Sequence, residues 1–139
     1  MISKSAASLQ PVEKNTLVYS VLIPAYNEEK NIIPTLETLA AALRAESIPF
    51  ELLVVNDNST DNTADVIGEK SKEIPEIHLV HNTPPGGLGR AIRCGLNHFN
   101  GDVLAVVMAD SSDNPLDVVR CYRKIEEGYD CVFGSRFMK

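Results

Sequence analysis

The chain has 139 residues, with 13 basic and 19 acidic side chains and a formal net charge of −6 at pH 7. This length suits one domain, and 44% hydrophobic with 23% charged residues is typical of a soluble globular protein rather than a disordered one. The acidic balance argues against a nucleic-acid-binding protein, because such proteins usually carry a basic face that neutralises phosphates.

The chain divides into a polar leader, residues 1–16, and one predicted domain, residues 17–139. The leader lacks the apolar stretch of a signal peptide, and the longest apolar run, residues 103–109, is far shorter than the roughly 20 residues of a membrane-spanning helix. We therefore expect a cytoplasmic protein. Cys94, Cys121 and Cys131 have apolar neighbours and no CxxC spacing, which favours buried thiols over disulfides or metal ligands.

Predicted strands and helices alternate along the domain. Apolar segments predict strands at residues 17–23, 51–55, 77–81, 103–108 and 131–133. Helical spacing or capping residues predict helices over residues 31–48, through Ala64 and Ile67, over 88–99 and over 117–127. The fold class is therefore α/β, with a Rossmann-like, mainly parallel sheet and helices on both faces. Ligands of such sheets bind at the carboxyl ends of the strands, where function should be sought.

The turn after the first strand contains no glycine, so it is not the phosphate-binding turn of a dinucleotide site. Tyr26 can stack on a base, and Glu28 and Glu29 can bind sugar hydroxyls. Alternatively, Asn27 caps the next helix and the two glutamates complement its dipole.

The second strand ends at a polar cluster, residues 56–61, in which Asp57 can accept hydrogen bonds from the N–H groups of a nucleobase. Helix capping by this cluster is the alternative. Glycines at 86, 87 and 89, followed by Arg90, open the third helix, where free N–H groups favour an anion. This segment matches neither GxGxxG nor GxxxxGK, and a flexible surface loop is the other interpretation.

Two carboxylates, Asp110 and Asp113, follow the fourth strand and can hold a hard divalent cation. Asp113 or Asn114 can instead cap the next helix, with Pro115 in its first turn. After the fifth strand, Arg136 can clamp a phosphate, or it is a surface arginine.

Taken together, these segments resemble the family 2 glycosyltransferases of the GT-A fold over about residues 18–137. The branch they most resemble contains the dolichol-phosphate mannose synthases and polyprenyl-phosphate glycosyltransferases. The matching segments are residues 21–28 (VLIPAYNE), 53–63 (LVVNDNSTDNT), 87–91 (GLGRA), 106–110 (VVMAD) and 134–137 (GSRF).

The resemblance implies an inverting, metal-dependent transfer of a sugar from a GDP- or UDP-linked donor, with polyprenyl or dolichyl phosphate as the expected acceptor. The alternative is a non-catalytic remnant that binds nucleotide or a partner. The implied donor-site residues are Pro24, Tyr26, Glu28, Val55, Asp57, Gly89 and Arg90. The implied ligands of Mg²⁺ or Mn²⁺ are Asp110, Ser112 and Asp113, and the implied catalytic residues are Asp110, Asp113 and Arg136, the last reaching the diphosphate.

The chain departs from this family pattern in three ways. Met108 replaces the first aspartate of the usual Asp-x-Asp pair, and Asn56 replaces the first of two aspartates after the second strand. The family domain also continues beyond the Gly-Ser-Arg segment, so we expect this chain to be the N-terminal, nucleotide-sugar-binding part. A longer form would associate peripherally with the cytoplasmic face of a membrane, and an open sheet edge favours a homodimer.

Overall fold

The computed structural model describes residues 16–130, in which strands and helices alternate strictly. Within this range the elements are β1 (Tyr19–Ala25), α1 (Ile32–Ala45), β2 (Phe50–Asn56), α2 (Thr63–Lys70), β3 (Ile77–His81), α3 (Leu88–Leu96), β4 (Val103–Val106) and α4 (Pro115–Glu126). The α/β prediction is therefore confirmed. The predicted fifth strand, residues 131–133, lies outside the described residues, as do Cys131 and most of the polar leader.

The described strands form one parallel sheet in the order β3-β2-β1-β4. From β1 the chain adds β2 and then β3 on one side, and it returns past β1 to place β4 on the other side. The strand order thus reverses between β1 and β4. In open α/β sheets a crevice forms at the carboxyl ends of the strands on either side of such a reversal, and ligands bind there.

Apolar side chains cover both faces of this sheet. Val21 and Ile23 of β1 belong to the larger core cluster, to which α1, α2 and α4 contribute. Leu22 points to the opposite face and packs with Val55 of β2 and Ala91 of α3. Helices on both faces of the sheet are therefore confirmed, with α3 alone on the second face among the described helices.

The first strand continues through Pro24, where the sequence predicts its end. The Leu22 carbonyl accepts a hydrogen bond from Val107 N (2.9 Å) on the β4 side, whereas the Ala25 carbonyl bonds on the β2 side. Because strand residues alternate between their two neighbours, the Pro24 nitrogen faces β4, and pairing with β4 ends at Leu22. The missing N–H of proline therefore breaks no ladder bond.

The fourth strand is shorter and more exposed than its apolar sequence predicts. It ends at Val106, whose side chain is 44% exposed, and in the described part of the chain it pairs only with β1. The Val107 N–H still donates to the Leu22 carbonyl of β1, so the Met108 N–H faces away from β1, and there it donates to Asp113 Oδ2 (2.9 Å). The predicted strand over residues 103–108 is therefore present but ends two residues earlier, at Val106.

The prediction of buried thiols is also wrong for the two described cysteines. Cys94 and Cys121 are free and half-buried. On α3 the buried positions are Ala91 and Gly95, and on α4 they include Tyr122, so both cysteines lie at the border of a buried helix face rather than within it.

A buried carboxylate fixes the loop between α3 and β4. Glu51 is only 6% exposed, and its Oε2 accepts hydrogen bonds from Ser20 Oγ (2.5 Å) and Asn100 N (2.7 Å). The Ser20 hydroxyl oxygen also accepts from Gly101 N (2.8 Å). Burial raises the pKa of Glu51, but the hydrogen bonds from Asn100 and Ser20 outweigh it, so the net pKa is lowered. The ionised form of Glu51 is therefore favoured in the folded protein.

Candidate functional site

A cleft of about 660 Å³ lies at the carboxyl ends of β1, β2 and the segment after β4, where the strand order reverses. Its lining residues are Pro24, Ala25, Tyr26, Glu28, Asp57, Asn58, Gly86, Gly87, Leu88, Met108, Ala109 and Asp110. Five residues of the predicted site, taken from three separate loops, meet here: Pro24, Tyr26, Glu28, Asp57 and Asp110.

Asp57 is the most enclosed carboxylate of the cleft, with 8% of its surface exposed. Its Oδ1 accepts hydrogen bonds from the side-chain amides of Asn82 (2.9 Å) and Asn58 (3.3 Å). Its Oδ2 accepts from Gly87 N (2.9 Å), and its own backbone N–H donates to the Ala25 carbonyl (2.8 Å). Donors from two loops, the one after β2 and the one between β3 and α3, therefore fix the orientation of this carboxylate.

The loop before α3 needs glycine in order to approach Asp57. A Cβ on Gly86 would lie 2.9 Å from Asp57 Oδ1, and Gly87, the N-cap of α3, has φ +135°. The sequence instead favoured Gly89 and Arg90 as donor-site residues. Both are exposed and lie outside the cleft lining, because α3 begins directly after Gly87 and its turn carries them away from the cleft.

Asn27 joins the loops that follow β1 and β2 and does not cap a helix. The N-cap of α1 is Asn31. Asn27 has φ +51°, its Oδ1 accepts hydrogen bonds from Thr60 N (2.7 Å) and Asp61 N (3.3 Å), and its N–H donates to Ser59 Oγ (3.0 Å). We call these four residues, Asn27, Ser59, Thr60 and Asp61, the loop clasp. It fixes the two cleft residues on either side of Asn27.

A second set of bonds reinforces the loop clasp at Glu28. Its backbone N–H donates to Thr63 Oγ1 (2.9 Å), and the Thr63 hydroxyl and N–H both donate to Asp61 Oδ1. Desolvation raises the pKa of Asp61, but the hydrogen bonds from Thr63 and from Glu29 N outweigh it and lower the pKa overall. Asp61 therefore anchors the start of α2, while the Glu28 carboxylate, bonded to Asn31 Nδ2 (3.2 Å), lines the cleft.

In the loop after β4, the two capping candidates have different roles. Asn114 caps α4, because its side chain accepts a hydrogen bond from Leu116 N (2.9 Å) and Pro115 is the first helical residue. Asp113 instead accepts from Met108 N and holds the loop to the end of β4. Asp113 lies outside the cleft lining, so the structure does not place it beside Asp110 as a cleft residue.

Asp110 lines the cleft, and its two neighbours in the sequence, Ala109 and Ser111, contact α1. Thr35 of α1 is 3% exposed, and its Oγ1 lies 3.0 Å from the Ala109 carbonyl and 2.5 Å from Ser111 Oγ. Ser111 has φ +64°. Asp110 Oδ1 itself accepts a hydrogen bond from Ser112 N (3.0 Å), and Ser112 is outside the cleft lining. The buried Thr35 hydroxyl thus contacts both neighbours of Asp110, and it also lies 2.9 Å from the Asn31 carbonyl.

Sequence reasoning missed Asn82 and Thr35. Asn82 directly follows β3, so the strand-end rule could have found it, but the prolines and glycines after it favoured a plain loop. Thr35 is a polar residue within the buried stripe of α1, which is a recognisable signal. Val55 is fully buried under α3 and outside the cleft lining, and Arg136 lies outside the described residues.

The cleft can supply a metal ion with part of a coordination shell. Within residues 16–130 no group of three or more His, Cys, Asp or Glu side chains is arranged to hold a metal. Asp110 nevertheless provides hard oxygen ligands at the cleft wall. Mg²⁺ typically binds one or two carboxylates together with substrate phosphates and water, so the donor set fits a cation that arrives with a diphosphate.

The reversed strand order and the cleft at the carboxyl edge are those of an open α/β ligand-binding domain. The sequence profile described as "Glycosyl transferase family 2" matches residues 20–139. The chain therefore belongs to glycosyl transferase family 2, as the resemblance implied. Within residues 16–130, no helix has the length and apolarity needed to cross a membrane.

Curated sugar transferases are similar to most of this chain. The undecaprenyl-phosphate 4-deoxy-4-formamido-L-arabinose transferase of Yersinia enterocolitica is 33% identical over 115 residues, which are 81% of this chain and 35% of that protein. The enzyme of the same name from Photorhabdus laumondii is 34% identical over 119 residues, 84% of this chain and 36% of that protein. The chain thus spans about a third of the length of these curated relatives.

Two similar solved structures are complexes with nucleotide sugars. Staphylococcus aureus TarS in complex with UDP-GlcNAc is 29% identical, with a TM-score of 0.61, over 78% of this chain and 31% of that one. The mannosyltransferase PcManGT from Pyrobaculum calidifontis, in complex with GDP-Man and Mn²⁺, is 26% identical, with a TM-score of 0.57, over 68% of this chain and 28% of that one. Both likenesses support the fold.

Proposed function

We propose that this chain forms the donor site of a glycosyltransferase that moves a sugar from a nucleotide sugar to a polyprenyl phosphate. The observation that carries the proposal is the cleft itself, which gathers Tyr26, Glu28, Asp57 and Asp110 at the reversal of strand order. Membership of glycosyl transferase family 2 supports sugar transfer, and the names of the relatives support a polyprenyl phosphate as acceptor.

The nucleoside would bind at the β1 and β2 side of the cleft. Tyr26 is 57% exposed on the rim and presents its ring to the solvent, where a base or ribose can stack on it. Asp57 offers an enclosed carboxylate to the N–H groups of the base. Glu28 lies between them in sequence and offers carboxylate oxygens to the ribose hydroxyls, within a loop that the loop clasp holds still.

The diphosphate would bind on the β4 side, beside Asp110. A bound Mg²⁺ or Mn²⁺ would neutralise the charge of the nucleoside diphosphate leaving group as a Lewis acid. Asp110 is the proposed ligand because it lines the cleft, and the Mn²⁺ bound to PcManGT supports the use of a divalent metal. Asp113 and Ser112 would act through the loop, because Asp113 binds Met108 N and the Ser112 N–H donates to Asp110.

The proposed reaction is a single displacement with inversion at the anomeric carbon. One oxygen of the acceptor phosphate forms a bond to that carbon while the bond from the carbon to the diphosphate oxygen breaks. The nucleoside diphosphate leaves with the electron pair. Because the acceptor phosphate is already ionised, the chain needs no general base to remove a proton. The contribution of the cleft would be to orient the donor and to hold the departing diphosphate.

A thermal-shift titration of the chain tests the proposal. UDP, GDP, UDP-glucose and GDP-mannose are each added with and without Mn²⁺. A nucleotide at about 100 times its Kd adds about 2.7 kcal/mol to the free energy of unfolding and raises Tm by several degrees in a small domain. The variant Asp57→Ala should lose this shift, whereas Asp65→Ala, on the exposed surface of α2, should keep it. Absence of a shift with every nucleotide would refute the donor site.

A further inference from the structure

The identity of the base is open, because one structural neighbour is described with UDP-GlcNAc and another with GDP-Man. We infer that Asn82, by occupying Asp57, makes the cleft select a uracil base over guanine. The inference rests on the proposed donor site and names the nucleotide that it takes. It depends on the number of acceptor positions that remain on the Asp57 carboxylate.

An ionised carboxylate has about four positions at which it can accept hydrogen bonds, two on each oxygen. Asp57 Oδ1 already accepts from Asn82 and Asn58, and Oδ2 accepts from Gly87 N. One position is therefore left, and it is on Oδ2. The enclosed position of the side chain prevents water from supplying further partners freely, so this count governs what the carboxylate can bind.

Uracil matches a single remaining acceptor position. Its pairing edge carries one N–H between two carbonyl oxygens. Beside the carboxylate, Asn58 lines the cleft and has a second amide N–H that can donate to one of those oxygens. Guanine presents two adjacent N–H groups on this edge and needs two acceptors side by side. With Oδ1 filled, one of those N–H groups would be buried without a partner, which a polar site rejects strongly.

The remaining bases are disfavoured more simply. Cytosine and adenine each turn a ring-nitrogen lone pair toward the position where uracil and guanine carry an N–H. That lone pair would face the negative charge of Asp57. The cleft therefore distinguishes uracil by charge from the two bases with an acceptor nitrogen, and by acceptor count from guanine.

Asn82 is the removable element of this arrangement. Its backbone N–H donates to the Asn56 carbonyl (2.9 Å), which fixes it at the end of β3, and its side-chain amide reaches Asp57 Oδ1 at 2.9 Å. The bond from Gly87 comes from the backbone, and the bond from Asn58 is longer, at 3.3 Å. Asn82 is outside the cleft lining, so its substitution changes Asp57 without removing a surface that contacts the nucleotide.

Isothermal titration calorimetry of the chain with UDP and with GDP tests the inference. We expect wild type to bind UDP about tenfold or more tightly than GDP, which corresponds to one unpaired polar group. In Asn82→Ala the freed Oδ1 position should narrow this ratio by about tenfold, mainly through tighter GDP binding. Asn97→Ala changes an exposed residue at the opposite end of α3 from Gly87; it is the matched control and should keep the wild-type ratio.

Each result decides a separate point. Equal or tighter binding of GDP by wild type would overturn the inference while leaving the donor site standing. Binding of neither nucleotide would overturn the donor site as well. An unchanged ratio in a folded Asn82→Ala protein would overturn the role of Asn82. If that variant does not fold, the wild-type ratio still decides for or against uracil, and Asn82→Ser, a smaller change, provides the second variant.

Discussion

A single methyl group added to α3 should destabilise the chain, because this helix lies very close to the sheet. Gly95 is buried, and a Cβ at this position would lie 2.1 Å from Leu22 Cδ1 and 2.6 Å from Leu22 Cγ. Carbon atoms in contact normally lie about 3.5–4.0 Å apart, so α3 or Leu22 would have to move by about 1.5 Å. Leu22 is fully buried, which leaves its side chain little room to turn away.

The magnitude follows from two opposing effects. Overpacking a core typically costs about 1–3 kcal/mol, and the short distances at Leu22 place Gly95→Ala near the upper value. Alanine is favoured over glycine in a helix by about 1 kcal/mol, which offsets part of that cost. We therefore expect the free energy of unfolding to fall by about 2 kcal/mol.

Gly68→Ala in α2 is the matched control, since a Cβ there meets nothing within 4 Å. This variant should be more stable than wild type by about 0.4–1 kcal/mol. Urea unfolding followed by circular dichroism measures both variants, and their midpoints should differ by about 1 M or more. If Gly95→Ala unfolds at the same urea concentration as Gly68→Ala, the close packing of α3 on Leu22 is refuted.

Two further predictions concern the buried and the cleft carboxylates. Folding lowers the pKa of Glu51, so its ionised form stabilises the protein above the ordinary pKa, and this stability is lost as the pH falls. In Glu51→Gln the free energy of unfolding measured in urea should therefore depend less on pH below about 5. The same pH dependence in wild type and variant would contradict the Glu51 network. If Mn²⁺ binds at Asp110, Mn²⁺ should tighten UDP binding in calorimetry, and Asp110→Ala should abolish this tightening. Thr35→Val should weaken the effect of Mn²⁺, whereas Thr35→Ser should retain it. A full effect of Mn²⁺ in Asp110→Ala would exclude Asp110 as the ligand.

The sequence predicted the sheet well because buried parallel strands are continuous apolar runs. It failed at strand ends, where a few hydrogen bonds decide the boundary. Pro24 stays in β1 because its nitrogen faces the β4 side beyond the last β1–β4 pair, and the Met108 N–H, on the side away from β1, bonds to Asp113 in the following loop. Neither fact has a signature in local composition, since each depends on the identity of the neighbouring strand or loop.

The sequence predicted only part of the site, and its failures there also come from contacts between distant parts of the chain. The strand-end rule located Tyr26, Asp57 and Asp110, because parallel strands bring their carboxyl ends to one edge. The same rule did not reveal that α3 turns Arg90 away from the cleft, since that depends on where the helix begins. Hydrogen bonds such as the one from Asn82 to Asp57 join positions 25 apart in sequence and become visible only in the folded chain.

The loop clasp has a thermodynamic consequence for the nucleoside side of the cleft. Asn27 ties the loop after β1 to the loop after β2, so the segments that carry Tyr26, Glu28 and Asp57 are ordered before any nucleotide arrives. Ordering a loop or a side chain on binding normally opposes affinity, and a site that is already rigid avoids that entropic cost. The nucleoside would then bind to a preorganised site, with fast association and small changes in backbone order.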